Sequence, residues 1–348
     1  MIRETRLPLL IRQKVFVAGD GSGWAIDDDA AAVRASLGRI GIPQARSRWA
    51  PARVIFHADR YRALRSIRMG EKLLHPRLGL SYFHGRPESS HEFARLFSRL
   101  QAVGKHVDRI RVSTVDMGNI LSENGFGSRV QRIPIGVDIN RFPLREGADR
   151  LRARERFGIP QDAVVVGSFQ KDGDGWGEGA SPKLIKGPDI LVETLIELST
   201  KVPDLLVLLT GAARGYVTRR LTAASIPWLQ LPFLALTELS AAYHALDLYL
   251  VASREEGGPK AFLEALASGV RLVSTPVGQV VDLATVPDVL ISTTFEAEEL
   301  AFLATKALAS AADPTTISRG RAIAESNSIQ SQDEEWRKFF EELATARF

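Results

Sequence analysis

Two carboxylates eight residues apart, Glu256 and Glu264, bracket the stretch Glu256-Gly257-Gly258-Pro259-Lys260-Ala261-Phe262-Leu263-Glu264. The apolar run Leu246 to Val251 before it predicts a buried strand. Arg254 to Gly258 is a polar, Gly-rich turn, and Pro259 suits a first helical position, where the missing N–H costs nothing. The helix carries Phe262, Leu263 and Leu266 inward and stops at Gly269; Val270 to Ser274 is a second buried strand, running into Thr275-Pro276. Such a helix start aims the backbone N–H groups of Gly258, Lys260 and Ala261 at an anion, and the macrodipole favours a phosphate there. A carboxylate beside a phosphate is repulsive unless it grips something else, and sugar hydroxyls are the natural partner. The spacing is roughly two helical turns. It assigns Glu264 to a ribose diol and Glu256 to the hydroxyls of an attached sugar. The plainer reading is an ordinary α/β unit with Glu264 on a solvated helix face.

The same residues, followed by Ala265-Leu266-Ala267-Ser268-Gly269-Val270 and Ser274-Thr275-Pro276-Val277-Gly278, resemble the donor-site signature of retaining GT-B glycosyltransferases of family 4, the glycosyl transferases group 1. The resemblance implies an α/β fold of the GT-B kind: two Rossmann-like domains facing across a cleft, with a C-terminal helix crossing back to the first. It covers roughly residues 130–300 well and the first 130 only in patches.

Composition sets the outer bounds. The 348 residues suffice for two domains of ordinary size. The absence of Cys excludes a disulfide framework, a thiol nucleophile and a Cys-ligated metal. With no N-terminal apolar leader and no long uncharged apolar run, the expected location is cytoplasmic, at most at the inner face of a membrane. Residues 1–145 hold 25 Lys and Arg against 13 Asp and Glu, whereas residues 146–348 hold 20 against 28. A basic first half beside an acidic second half suggests that the first meets something anionic, such as a membrane surface, a lipid diphosphate or an acidic glycan. Its Arg residues are not interleaved with stacking aromatics in any recognisable module, so no nucleic-acid partner is expected.

Taken in order, Val15 to Ala18 predicts a strand and Asp27 to Ile40 a helix, joined by Gly19-Asp20-Gly21-Ser22-Gly23. That loop matches a dinucleotide fingerprint only loosely, but the resemblance makes Gly21 and Gly23 donor-side residues. Val54 to His57 is a second strand. Arg60 to Leu74 reads as a basic helix, either packed by Tyr61, Leu64 and Ile67 or resting on an anionic bilayer. Leu80 to Gly85 is a third strand, ending His84-Gly85. Ligands bind at the carboxyl ends of parallel strands, which places His84 well and His57 less so; the resemblance implies that His84 touches the transferred sugar or the acceptor. A helix over Glu88 to Val103, a strand over Arg109 to Ser113 and a helix over Asp116 to Asn124 follow. Pro134-Ile135-Gly136-Val137-Asp138 resembles the family's exit loop, with Ile135 where Asn is usual. The first domain is therefore set at 1–145 with the helix of about 330–348, and the second at 146–329.

The second domain opens with a strand, Ala163 to Phe169. Lys186-Gly187 matches the family's Lys-Gly and implies a contact with the donor diphosphate. Ser168 stands where the family carries an Arg, so Lys183 or Lys171, from the long Gln170–Lys183 loop, is expected to supply that cation. Asp172 to Glu178 fails the spacing of a calcium loop; a mobile flap carrying Trp176 over the ligand is expected instead. Phe233 falls where family members meet the nucleobase through the backbone.

The expected catalytic set is His84, Lys186 and Glu256, and the expected donor set is Gly21, Gly23, Ser168, Lys183, Phe233, Gly258, Pro259, Lys260, Ala261 and Glu264. No cofactor and no metal are expected, because no Asp-x-Asp suited to a divalent ion sits at a strand end. The implied chemistry is retention of anomeric configuration, with the leaving phosphate taking the acceptor's proton. Partners are a UDP- or GDP-sugar and a saccharide or lipid-linked acceptor. The alternatives are a sugar-nucleotide epimerase, a phosphorylase (for which no Lys is marked) and a non-catalytic sugar-nucleotide binder.

Overall fold

The computed structural model describes residues 14–346 apart from 24, 51, 69–72, 74, 176, 285–288 and 311–312. Lys72 and Leu74 of the expected basic helix, and Trp176, therefore lie outside the described residues. The chain forms two compact units: Gly136–Ser328 is one, and the residues up to Ile135 together with those from Ile329 onward are the other.

In the first unit β1 (Val15–Ala18), β2 (Val54–His57), β3 (Arg77–Ser81), β4 (Arg109–Val112) and β5 (Val130–Arg132) lie side by side in chain order, all parallel. Register sets Ala18 level with His57 and His57 level with Leu80, so three carboxyl ends share one edge. Alternation along β2 splits the core between two faces. Val54 and Phe56 pack with α1 (Ala25–Arg39) and α13 (Asp333–Thr345), while Ile55 packs with α2 (Arg60–Arg68) and α3 (His91–Val103). Phe56 meets Trp336 and Phe339 edge-on at 5.5 Å each. A Cβ on Gly79 would fall 2.9 Å from Leu343, so α13 lies this close to β3 only because position 79 has no side chain. α4 (Val115–Leu121) is capped by Thr114, whose side chain accepts from the Met117 N–H. The buried Arg111 donates to Asp29 at 2.7 and 2.8 Å and to the carbonyls of Ile133 and Pro134, tying α1 to the exit of β5.

One reading is corrected here, and for α2 one of the two alternatives is met. β3 ends at Ser81 rather than Gly85: Tyr82 still donates to the Arg111 carbonyl, then the chain leaves the ladder. The apolar residues of α2, Ala63, Leu64 and Ile67, are buried in the core, and Arg62 and Arg65 face out. Among the described residues of α2 these three apolar side chains are thus packed inward.

In the second unit β6 (Val164–Ser168), β7 (Leu205–Thr210), β8 (Trp228–Leu231), β9 (Leu248–Val251), β10 (Arg271–Ser274) and β11 (Leu290–Ile291) form a parallel sheet in the order β11-β10-β9-β6-β7-β8. The order reverses between β6 and β9, which makes their carboxyl ends the switch point where a ligand crevice opens in such sheets. α6 (Pro188–Ser199), α7 (Gly215–Ala223) and α11 (Ala297–Ala309) cover one face. α8 (Leu236–His244), α9 (Lys260–Ala267) and α10 (Gln279–Leu283) cover the other, with α5 (Asp149–Phe157) and α12 (Pro314–Ser326) beside them. α5 and α12 were not expected. α12 buries only Gly320, Ile323 and Ala324, too little apolar periodicity to read, although Asp313 caps it by accepting from the Thr315 N–H. Among the described residues no helix is long and apolar enough to cross a membrane.

Candidate functional site

The switch point gathers three segments of the second unit. Leu184–Lys186 make a single tight turn closed by Gly187, whose φ of 60° is left-handed. A Cβ on Gly187 would stand 1.8 Å from the Ala252 carbonyl oxygen, so the turn presses directly on the end of β9. The Ile185 carbonyl accepts from the N–H groups of Arg254 and Glu255, and Arg254 grips Asp189 at 2.6 and 2.7 Å. These contacts fix Lys186 against the loop after β9. Its Nζ lies 2.5 Å from Glu256 Oε1, the same oxygen that lies 3.2 Å from Ser253 Oγ. Gln170 completes the ring, donating to the Lys186 carbonyl at 2.7 Å and lying 3.0 Å from Ser253 Oγ. Two of the residues expected to be catalytic, Lys186 and Glu256, are therefore in direct contact.

Gly257, Gly258 and Pro259 are buried behind this ring. A Cβ on Gly258 would meet the buried Gln279 side chain at 2.5 Å, and one on Gly278 the Glu256 carbonyl at 2.7 Å, so the two loops nest backbone to backbone. Pro259 is the residue before α9 rather than its first turn, with φ −63° and ψ 112°, and its carbonyl accepts from Phe262. Lys260 and Ala261, half-buried, open the helix. The first-turn amides and the helix dipole are thus directed at the switch point, as a phosphate requires.

Glu264 is 6% exposed, which removes it from a solvated helix face. The Tyr243 hydroxyl donates to its Oε2 at 2.8 Å. Burial first, then the negative charge of Glu264, push the Tyr243 hydroxyl well above its ordinary range, so it remains a donor. The Tyr243 ring packs on Phe169 at 4.9 Å, and Phe169 in turn donates its N–H to the Tyr249 hydroxyl at 2.8 Å. An aromatic nest therefore ties Glu264 to the exit of β6.

Ser168, expected at the donor site, is buried, with its carbonyl accepting from Arg214 at 2.7 Å. The cation at this strand end is Arg214, which enters from the loop after β7. It is fully buried, donates also to the Gln170 carbonyl at 2.6 Å, and lies 3.1 Å from the equally buried Asp172. Burial pushes the Asp172 carboxyl up, against the pull of Arg214. The Gln170–Lys183 loop is not a loose flap. Asp174 bonds Ser181, Lys183 bonds Asp172, and Gly215 and Tyr216 donate to Glu178 and Gly179. Lys183 shares the loop with Lys171 and stands near Lys186; burial, then repulsion from these two, lowers its ammonium below the usual lysine range. Phe233 is 64% exposed, in the loop between β8 and α8.

In the first unit the Gly-rich loop closes on itself. Gly21 and Gly23, at φ 70° and 71°, donate their N–H groups to the two oxygens of Asp27 at 3.0 and 2.7 Å. Burial pushes that carboxyl up, but the N–H bonds from Gly23 and Gly21 prevail and hold it below its ordinary value. Gly21 and Gly23, expected to face the donor, thus spend their amides on a carboxylate of the chain. His84 is half-buried beyond the end of β3, beside the left-handed Gly85, with Arg60 Nη2 3.4 Å from its Nδ1. His57 is 2% exposed and belongs to the core.

Arg214, Tyr243, Gln170 and Arg60 escaped the sequence reading. An Arg just past a strand in Gly211-Ala212-Ala213-Arg214 was the one available signal; nothing local marks the others.

Comparison with known proteins fits this geometry. Residues 179–310 match the family model of glycosyl transferases group 1. A D-inositol 3-phosphate glycosyltransferase of Geodermatophilus obscurus is 31% identical over 212 residues, 56% of this chain and 42% of that protein. The lipopolysaccharide core biosynthesis mannosyltransferase LpsB of Rhizobium meliloti is 29% identical over 157 residues, 43% of this chain and 41% of its own. The chain spans less than half the length of the first of these curated relatives. The crystal structure of Anabaena HepE in complex with UDP and glucose superposes with a TM-score of 0.75 at 16% identity, covering 94% of this chain and 99% of HepE. Sucrose-phosphate synthase from Thermosynechococcus elongatus gives 0.67 at 16% identity, with 90% and 77% covered. The likeness to group 1 glycosyltransferases and the GT-B fold expected from the sequence are both borne out.

Proposed function

We propose that this chain, a GT-B fold whose segment 179–310 matches the group 1 glycosyl transferases, is a retaining glycosyltransferase. It takes a sugar from a UDP- or GDP-linked donor and passes it to a saccharide or lipid-linked saccharide, without a metal ion. The observation that carries the reading is the meeting of Lys186, Glu256 and the start of α9 at the switch point of the second sheet. Breaking the anomeric bond places negative charge on the leaving diphosphate and positive charge on the sugar ring. Lys186 and the first-turn amides of α9 are aimed at the negative charge, which is electrostatic catalysis. When a donor binds, Lys186 exchanges its carboxylate partner for phosphate oxygens, and Glu256 takes sugar hydroxyls instead. Glu264, held by Tyr243, accepts from the ribose diol, and Phe233 lies beside the base. The leaving phosphate oxygen takes the acceptor's proton, and His84 contacts the sugar. The excess of Lys and Arg in residues 1–145 supports an acceptor with an anionic group, or contact with an anionic membrane surface from the cytoplasmic side.

A second reading, a non-catalytic sugar-nucleotide binder, draws support from Ser168 standing buried where a cation is expected. One experiment separates the two. Release of free nucleoside diphosphate from UDP- and GDP-sugars is measured with and without saccharide and polyprenyl-linked acceptors, and NMR reads the anomeric configuration of the product. Acceptor-dependent release with retention supports the transferase. Binding without release favours the binder, a new sugar nucleotide an epimerase, and inversion overturns the mechanism.

A further inference from the structure

Arg60, the first residue of α2, is 5% exposed. Its guanidinium carbon stands 4.8 Å from the ring of Tyr82, 5.2 Å from Tyr61 and 5.5 Å from Phe93. Among the described residues it forms no ion pair with a carboxylate. Those on the packed elements are otherwise engaged: Asp59 accepts from the Tyr61 and Arg62 N–H groups, and Glu92 from the Tyr61 hydroxyl. Gly85 and His84, at the exit of β3, border this cage. Gly85, at φ 103°, leaves the room, since a Cβ there would sit 3.2 Å from Arg60 Nη1. Through that gap Nη2 comes to 3.4 Å from His84 Nδ1, while the His84 ring is set edge-on against Phe93 at 5.6 Å.

Donor and acceptor chemistry decides what this contact means. A guanidinium has N–H donors only and does not deprotonate in proteins. The nitrogen facing it must therefore be a bare acceptor, which leaves the ring proton on Nε2. We infer that Arg60 is a positioning residue that fixes His84 as its neutral, Nε2-protonated tautomer, making it a hydrogen-bond donor to the ligand and not the base of the reaction. The role of the ligand rests on the transferase reading above; the tautomer does not.

The test uses the full chain labelled with ¹⁵N-histidine, the His84 signals being identified by their loss in His84→Gln. Long-range ¹H–¹⁵N spectra separate a bare from a protonated ring nitrogen. The expected result is a bare Nδ1 and a protonated Nε2 in the wild type, averaging of the two in Arg60→Met, and return of the wild-type pattern in Arg60→Lys, whose ammonium also only donates. A protonated Nδ1 in the wild type, or an Arg60→Met spectrum identical to the wild type, overturns the inference. Should Arg60→Met fail to fold by circular dichroism, the wild-type spectrum and Arg60→Lys still decide. Turnover supplies the second arm. The amide nitrogen of His84→Gln reaches the place of Nε2 and retains donation, so it keeps about a tenth or more of kcat, whereas His84→Ala falls about a hundredfold, the size of one lost preorganised donor. Equal losses in the two would remove the donor role. If the wild type transfers no sugar at all, the transferase reading fails while the spectra still judge the tautomer.

Discussion

Replacing Arg214 by Met tests whether the loop after β6 is held by one buried ion pair. Arg214 and Asp172 are both fully buried, 3.1 Å apart. At that separation, with an effective dielectric near 20, their attraction is about 5 kcal/mol. Desolvation of both ions offsets much of it. Removing one partner, however, strands the other, and for a buried pair this costs about 3–5 kcal/mol. The carbonyls of Ser168 and Gln170 also lose their donor. The sign of a second substitution isolates the charge term. Asp172→Asn should destabilise the wild type, because it strands Arg214, yet stabilise the Arg214→Met background, because it removes a buried carboxylate. The pH dependence follows from the raised carboxyl of Asp172. A native group that holds its proton to higher pH than the unfolded chain contributes stability at acid pH, and that contribution is lost as pH climbs through the native value. Without Arg214 to oppose burial, the native value rises further. The deficit of Arg214→Met should therefore shrink in acid and widen as the pH rises. Hydrogen exchange read by mass spectrometry over β6 and residues 170–183 reports the second unit by itself, and urea titration supplies the scale. An Asp172→Asn cost equal in both backgrounds, or a deficit indifferent to pH, would refute the reasoning. Because Lys171 and Lys183 ride on this loop, donor affinity should fall with its stability.

Three further outcomes are expected of the site. Tyr243→Phe deletes one hydrogen bond to a charged group and little volume, about 1.5–3 kcal/mol; the donor KM should rise about tenfold or more with kcat nearly unchanged, and an unmoved KM would return Tyr243 to packing alone. Gly187→Ala combines a left-handed conformation, about 1 kcal/mol of strain, with a Cβ 1.8 Å from a backbone oxygen that has no room to retreat. The loss measured by urea unfolding should exceed that strain, with donor binding weakened in parallel; a loss of only about 1 kcal/mol would mean that the turn gives way freely. Lys186→Ala should cut kcat by about a hundredfold or more, and a rate within a few fold of the wild type would take Lys186 out of the mechanism.

The parts legible in the sequence were those where one local pattern had one structural solution. Apolar runs bounded by turns gave strands such as β2, β6, β9 and β10, because a parallel strand covered on both faces has to be continuously apolar. Gly187, Gly258 and Gly278 were visible as punctuation; Gly187 and Gly278 prove to be points where backbone meets backbone, and Gly258 makes room for the buried Gln279 side chain. What stayed hidden depended on residues distant in the chain. Arg214 reaches the exit of β6 from 46 positions away, and Tyr243 reaches Glu264 from 21. Neither sits in a pattern of its own, and only the strand order that brings β6 beside both β7 and β9 makes them neighbours. Strand ends were misjudged for a related reason. Tyr82 and Phe83 are as apolar as any strand residue, yet β3 ends at Ser81, just past Leu80, which stands opposite His57, the last residue of its partner β2.

The carboxylates explain why the amide-rich loops were easier to find than to interpret. A cluster of N–H groups or an ammonium at the end of a parallel sheet calls for negative charge, and the chain supplies it twice from its own side chains: Asp27 on Gly21 and Gly23, and Glu256 on Lys186. The two carboxylates differ in how readily they can be displaced. Asp27 bonds both amides of a loop whose glycines are left-handed, so it shapes the turn, and releasing it would leave the turn without its closing bonds. Glu256 shares Lys186 with nothing else that binds the carboxylate tightly, Ser253 Oγ standing at 3.2 Å. A bound diphosphate would take Lys186 and leave Glu256 beside negative charge, which is unfavourable unless hydroxyl groups reach it in the same event. A nucleoside diphosphate brings none there; a nucleoside diphosphate with its sugar attached does. Under the transferase reading proposed above, the Lys186–Glu256 contact makes the sugar itself part of what the site recognises.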